Sequence, residues 1–431
     1  MTLAVAIAMV EGTVVTVLAR KTFDVGPWMF ATMMAAPMFA NLTSFAWARL
    51  ARGRGKVAMV AGLQGGLLVT VGAIALLPVN EAGRWLLTAL VVAGRCLMTG
   101  VVTVRSTVWR MNYPRPVRAQ VTGRLVRASH LIVLVVPLIA AGALDYNRQS
   151  FRAIYLVSMV IGVVGVVAYS RVRLRRQREL LRFERQPTAR PLPHGTPGPI
   201  YEYDPHAGGT NVWDVLRKDY FFRRYMQWQF LAGIATMMGE TVAILLIVDL
   251  SKKVSPKHDY LVSLTLTSVI VMLLAIMVMP LWARYLDRVL VPRVRSRMGW
   301  FWATAQVLYW FGATYELLGI FALARVFVGI AHGGGALAWT LGHNDFADRR
   351  MVALYMGIHV TLTGVRGAIG PFLIMMLYTG KLGPFTTGLA PFHEQVFWIT
   401  ATLAAIAALG FHRLDLSMRR QGRHESAARG G

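Results

Sequence analysis

Apolar stretches of about 17 to 25 residues follow one another along this chain, and each is long enough to cross the hydrocarbon core of a bilayer as a helix. They read as spans at 2–19, 28–48, 57–78, 85–108, 124–145, 152–170, 224–249, 260–283, 299–315, 317–341, 352–378 and 396–411. With 55% hydrophobic and 15% charged residues, the chain has too little polar surface to cover a soluble core of 431 residues. The stretch from Thr2 to Leu18 carries Glu11 and leads straight into further spans, so it reads as a span and not as a cleavable signal. The lone Cys96 excludes a disulfide framework and a cysteine-based metal site. No metal site and no cofactor is expected.

The net charge of +26 would suit a nucleic-acid binder, but the placement of the charges argues against that partner. The basic residues gather in short segments between the apolar runs. With a cytoplasmic N-terminus, the cytoplasmic connections hold 33 Lys and Arg and the outer connections 9. Four more, Arg95, Arg105, Arg325 and Arg366, fall in or at the ends of spans. Shifting the count by one span would scramble this separation. The expectation is twelve spans in a plasma or inner membrane, multi-pass, with both termini cytoplasmic.

Two segments do not span. Residues 171–185, RVRLRRQRELLRFER, are expected to continue helically along the cytoplasmic membrane surface. Residues 190–209 are rich in Pro and Gly and read as a flexible linker, followed by a short amphipathic helix in NVWDVLRKDYFFRRY. The chain then divides into an N-terminal six-helix half (1–170), a basic cytoplasmic linker (171–223), a C-terminal six-helix half (224–412) and a cytoplasmic tail (413–431).

The halves repeat. MVEGTVVTVL (9–18) aligns with MMGETVAILL (237–246), Thr13 matching Thr241 at an offset of 228. Trp47-Ala48-Arg49 matches Trp282-Ala283-Arg284 at 235, and Arg95 and Trp109 match Arg325 and Trp339 at 230. A six-span unit used twice in the same orientation accounts for this, because six spans return the chain to its starting side. On these residues the chain resembles the major facilitator superfamily, whose loop motif between the second and third helices is approximately G-x-x-x-D-R-x-G-R-R. Here WARLARGRGK (47–56) keeps the basic residues but has Ala51 in place of the aspartate, while the second half keeps Asp287-Arg288. Arg325 to Gly329, and loosely Arg95 to Gly100, follow the family's Arg-x-x-x-Gly pattern. Gly370-Pro371 is similar to the antiporter Gly-Pro signature but stands in the other half.

The resemblance implies an all-α polytopic fold of twelve transmembrane helices in two pseudo-symmetric halves, with spans one and seven lining a central cavity. It also implies gating loops at Arg49, Arg52, Arg284, Asp287 and Arg288.

An ionisable side chain at the centre of a membrane helix costs at least ~2.5–3.5 kcal/mol, so it faces a protein interior or a wet cavity. Glu11, Glu240, Arg95, Arg325 and Arg366 are therefore the candidates for substrate binding or proton coupling, with His332 and His359 behind them. A cavity glutamate could load and release a proton or bind a cationic substrate, the structural alternative being an interdomain or intrahelical hydrogen bond or a pairing with an arginine. The arginines could hold a carboxylate or phosphate, or neutralise the glutamates or brace helix ends. Glu11 and Glu240 are expected to face one another across the cavity, and span one to be one to two turns shorter than span seven. Gly333-Gly334-Gly335 permit close helix packing or a hinge. Asn344, Asp345 and Asp348, beside Arg349 and Arg350, read as a helix end with a gate-side ion pair and not as a metal site.

The P-loop, the G-x-S-x-G elbow and the H-E-x-x-H zinc helix are missing, so an enzyme is not expected. The expected function is secondary active transport of a small solute, proton-coupled, with no oligomer required. The alternative is a transporter-like sensor or assembly protein without transport activity.

Overall fold

A computed structural model describes residues 2–11, 13–112, 115–185, 212–342, 345–346, 352–383 and 385–421; at Glu11 and over 115–130, among others, it describes the backbone alone. A helix stands at every span position. Span one is α1 (Thr2–Glu11) and α2 (Thr13–Lys21), inclined to each other by 45°. Span two is α3 (Pro27–Leu42) and α4 (Ser44–Ala51). Spans three to six are α5 (Lys56–Ala75), α6 (Glu81–Asn112), α7 (Arg115–Tyr146) and α8 (Phe151–Ser170). Two short helices, α9 (Gln177–Arg185) and α10 (Val212–Lys218), belong to the linker region. Span seven is α11 (Tyr220–Val254); span eight is α12 (Asp259–Leu264), a π turn over Thr265–Val269, and α13 (Ile270–Leu286). Spans nine to twelve are α14 (Val291–Thr314), α15 (Leu318–Leu341), α16 (Val352–Thr379) and α17 (Val396–Arg420).

Among the described residues eight helices are individually long and apolar enough to cross a membrane, and the bent α1–α2 pair makes a ninth. Two of the other three positions, spans two and nine, fall short for local reasons. Span two is interrupted at Thr43, whose hydroxyl donates to the Ala40 carbonyl at 2.6 Å and whose backbone ends α3. In α7 the described side chains begin only at Leu131, and α14 opens with Arg293, Arg295 and Arg297. Prolines 37, 137, 280 and 371 lie inside helices, where membrane bundles satisfy the freed backbone groups through neighbours.

The internal repeat reappears as packing. In the N-terminal half, span three packs on four and six, two on four, and one on five and six. In the C-terminal half, nine packs on ten and twelve, eight on ten, and seven on eleven and twelve, the same pattern six spans later. The halves meet through span two on eleven and span five on eight, a pair of contacts that also exchange under the repeat. Each half carries one tryptophan on the outgoing end of its second helix. Cβ atoms built at Gly100 and Gly334 would fall 3.0 and 2.8 Å from the rings of Trp47 and Trp282. Both glycines are thus the flat seat for the repeated Trp-Ala-Arg motif. Trp282 also donates its indole N–H to the Ile330 carbonyl at 2.8 Å, fixing span eight to span ten.

Several expectations change at the connections. Residues 171–185 do not continue span six: the helix stops at Ser170, the chain turns through Arg176 at φ +53°, and α9 starts afresh. Asn112 explains the break, since its side chain accepts the Arg175 N–H at 3.0 Å and donates to the Arg173 carbonyl at 3.1 Å. Leu174 and Leu180 are then buried against Val57 and Val108 of spans three and four. The expected amphipathic helix before span seven is α10. Asp219 separates it from α11 and caps the latter, accepting the Phe222 N–H at 2.9 Å. Span seven starts 21 residues before Thr241 and span one 11 residues before Thr13, a difference of about 15 Å of helix. Span twelve runs on to Arg420, so the first part of the expected tail is helical. A two-residue hairpin, Lys381–Leu382 with Phe385–Thr386, joins spans eleven and twelve.

Candidate functional site

The ends of spans one and seven meet across the two halves. Arg20 presents Nε and Nη2 to the two carboxylate oxygens of Asp249, each at 2.7 Å, the fork geometry that suits a guanidinium and a carboxylate. Lys21 points into the interface, where Nζ lies 3.0 Å from Asp259 Oδ2 and donates to Ser251 Oγ at 2.9 Å. The Lys21 and Asp259 side chains are 0% and 3% exposed, so this pair is fully desolvated. Lys252 Nζ donates to the Arg20 carbonyl at 3.2 Å, and the Thr22 hydroxyl shares a short hydrogen bond with the Tyr260 phenol. From span five, Asp145 accepts the N–H groups of Tyr260 and Leu261 at 2.8 and 3.0 Å, satisfying the start of α12. The hydrogen bonds and ion pairs that join described residues of the two halves gather here, at what we call the latch end. The opposite end carries the linker.

Midway along span seven lies a second buried network. Arg325 Nη1 stands 2.6 Å from Glu240 Oε2 and donates to the Tyr309 phenol oxygen at 2.8 Å. The phenol in turn donates to Glu240 Oε1 at 3.1 Å. Arg325 Nε and Nη2 donate to the carbonyls of Leu266 and Thr267 at 3.0 and 2.8 Å. Both carbonyls belong to the π turn, where the regular helical pairing is interrupted. One guanidinium, 2% exposed as a residue, thereby ties together spans seven, eight, nine and ten.

A cavity of about 390 Å³ opens in the linker-side half of the C-terminal bundle. Its described walls come from spans seven, nine, ten, eleven and twelve, including Gln229, Arg295, Trp302, His332, Trp339 and Arg366. The volume falls within the range of small-molecule sites, and the wall combines aromatic surface with a few polar groups. Arg366, at the middle of span eleven, is 5% exposed and donates through Nη1 to the Gln229 carbonyl.

The sequence-derived candidates therefore separate into different places. Arg366 reaches the cavity wall. Glu240 and Arg325 do not line it: they pair with each other, the structural alternative for both. Arg95, the repeat mate of Arg325, is half-buried on α6. The side chain of Glu11 lies outside the described residues, and with it the expected meeting of Glu11 and Glu240. Asn344, Asp348, Arg349 and Arg350 lie outside them too, while Asp345 accepts the Val291 N–H at 2.7 Å and so closes the start of α14, not the end of span ten. Arg49, Arg52, Arg284, Asp287 and Arg288 are exposed at the linker end. Gly333 packs against the Ala275 carbonyl and Gly334 against Trp282, within an unbroken α15. Gly335 lines the cavity. His359 is fully buried beside Trp339, their rings 5.6 Å apart.

Sequence reasoning missed Arg20, Lys21, Asp249 and Asp259; it took the first two only as basic residues of an outer connection. It also missed Tyr309, Arg295 and Gln229. One signal was available: Arg20 and Asp249 are opposite charges at the matched ends of repeated spans, at an offset of 229 beside the 228 of Thr13 and Thr241.

The model of the Major Facilitator Superfamily matches residues 1–314. No curated protein matches the sequence. Among solved structures, the nucleoside transporter NupG superposes with a TM-score of 0.65 at 11% identity, over 96% of this chain and 97% of that one. A D-xylose-proton symporter gives 0.63 at 12% identity, over 95% and 94%, and a peptide transporter POT in complex with sulfate gives 0.62 at 15%, over 97% and 94%. At these identities the likeness is one of fold.

Proposed function

We propose, from the premise that this chain belongs to the Major Facilitator Superfamily, that it is a secondary active transporter moving a small solute by rocking its two halves, with the proton as coupling ion. The observation that carries this reading is the latch. Two pseudo-symmetric bodies are joined by polar contacts gathered at one end, while a small-molecule cavity lies toward the other. That asymmetry is what one state of an alternating-access cycle requires. The D-xylose-proton symporter among the structural neighbours supports a gradient as the energy source.

The basic asymmetry of the connections puts the latch end outside and the linker end in the cytoplasm. The conformation is then closed to the outside. Cysteines introduced near His206 and at Gly383 should accordingly be labelled from opposite faces of the membrane by an impermeant maleimide. Labelling of both from one face overturns the orientation.

Glu240 is the described carboxylate that lies mid-span. Ionised, it is held by Arg325 and Tyr309. Once protonated it loses the charge attraction to Arg325, which stays anchored to the span-eight carbonyls. Proton uptake at Glu240 would thus loosen span seven from spans eight and ten. Glu240→Gln keeps one acceptor oxygen in place of two and cannot exchange a proton. In proteoliposomes it should abolish accumulation driven by a pH gradient while sparing solute exchange. Accumulation at wild-type rates in this variant removes Glu240 as the coupling group and leaves it a structural brace. Absence of any substrate-dependent flux in the wild-type protein, across a metabolite panel, removes the transport reading itself.

A further inference from the structure

The cavity carries two cations and no described counter-charge. Arg366 is nineteen-twentieths buried, yet its Nε has no hydrogen-bond partner. Arg295, one turn inside span nine, lines the same cavity, and its buried Nε and Nη2 are likewise without partners. Among the described residues the titratable neighbours acting on Arg366 are Arg295 and Tyr225, a like charge and a phenol. The Arg366 guanidinium lies directly on Gly233: a Cβ built there would fall 2.0 Å from Arg366 Cζ. A glycine on span seven is therefore what lets the charged group reach this position.

A guanidinium keeps its charge at neutral pH and, once desolvated, costs several kcal/mol unless an anion or a set of acceptors answers it. Arg325 shows the answered case in this chain, with a carboxylate, a phenol and two carbonyls around it. Arg366 has one carbonyl. Two such groups line one cavity, three of their buried guanidinium nitrogens have no partner, and what would complete the site is negatively charged and oxygen-rich. Guanidinium forks favour carboxylate and phosphate oxygens for their planar, two-point geometry.

We infer that the solute is an anion, carrying a carboxylate or phosphate group that Arg366 and Arg295 hold together in the C-terminal half. This rests on the transport reading for its role, but its test needs no flux. In a Cys96→Ser background, Ala336→Cys places a thiol on the cavity wall. Its reaction with sulfonatoethyl methanethiosulfonate should outrun that with the trimethylammonium-ethyl reagent by on the order of tenfold, after each is normalised to a free thiol, because a cleft of one sign concentrates counter-ions. Arg366→Gln and Arg295→Gln should each collapse that ratio, and Arg366→Lys should largely keep it. Millimolar succinate or inorganic phosphate should slow the sulfonate reaction.

Equal rates for the two reagents, or a ratio indifferent to both glutamine variants, overturn the proposal. Slowing by phosphatidylglycerol in the micelle, but by neither soluble anion, assigns the pair to a lipid headgroup and overturns it as well. Should Arg366→Gln fail to fold, Arg295→Gln and Arg366→Lys carry the comparison. An anion-selective cavity in a protein without flux sinks the transport reading alone. Flux through a protein with an unselective cavity sinks this one alone.

Discussion

Arg325→Ala should destabilise the purified protein by about 3–5 kcal/mol, the cost of removing one partner from a buried ion pair. The change deletes the guanidinium's contacts with a carboxylate, a phenol and two carbonyls at once. It leaves Glu240 beside a void without its ion partner, the Tyr309 phenol without its donor, and the Leu266 and Thr267 carbonyls without theirs. Those carbonyls belong to a π turn and cannot simply re-form helical bonds. The loss is expected in the thermal unfolding of detergent-solubilised protein. Glu240→Ala should lose less, because Arg325 would keep its two carbonyls and the phenol. Replacing both charges by apolar residues of similar volume, Arg325→Met with Glu240→Leu, should recover part of the loss, since neither charge is then stranded. An Arg325→Ala protein as stable as wild type would mean that the four spans do not depend on this guanidinium, and the packing role fails.

That pair also measures what the sequence could and could not disclose. Glu240 and Arg325 were recognisable as costly intramembrane charges, and their pairing was one of two readings open for each. Distance along the chain hid the choice: 85 residues separate them, and the contact forms only when spans seven and ten pack side by side. The π turn that completes the site had no sequence mark. The succession of membrane-length helices was legible because apolarity over some 20 residues leaves few alternatives. Two-fold organisation was legible because the same residues recur, and Trp47 and Trp282 then prove to occupy matching seats on Gly100 and Gly334. Arg295 was hidden for a different reason. It sits among Arg293 and Arg297 in what reads as an ordinary basic connection, and its place on the cavity wall is what separates it from them.

The latch was invisible in the same sense, and it yields the second large effect. Lys21 and Asp259 are both buried, and Arg20 grips Asp249 with two nitrogens, so the energy of these pairs is concentrated in one state of the bundle. When the halves part at this end, water reaches all four groups and solvates them separately. Hydrogen bonds to charged groups contribute about 1.5–3 kcal/mol each, so even one lost contact at the lower limit shifts a two-state equilibrium by roughly tenfold. Asp249→Asn with Asp259→Asn removes both charges from span seven and span eight while keeping their size. Spin labels at Tyr146 and Lys257, exposed positions on the two halves at this end, should then report a longer distance in a fraction of molecules raised by on the order of tenfold. Asp259→Asn alone should produce part of the shift and strand Lys21, which keeps Ser251 as its remaining partner. On the transport reading, solute binding measured from the latch side should rise with the same fraction as the bundle opens there. If the distance distribution of the double variant matches wild type, the polar cluster does not hold the halves together and the latch has no part in alternation.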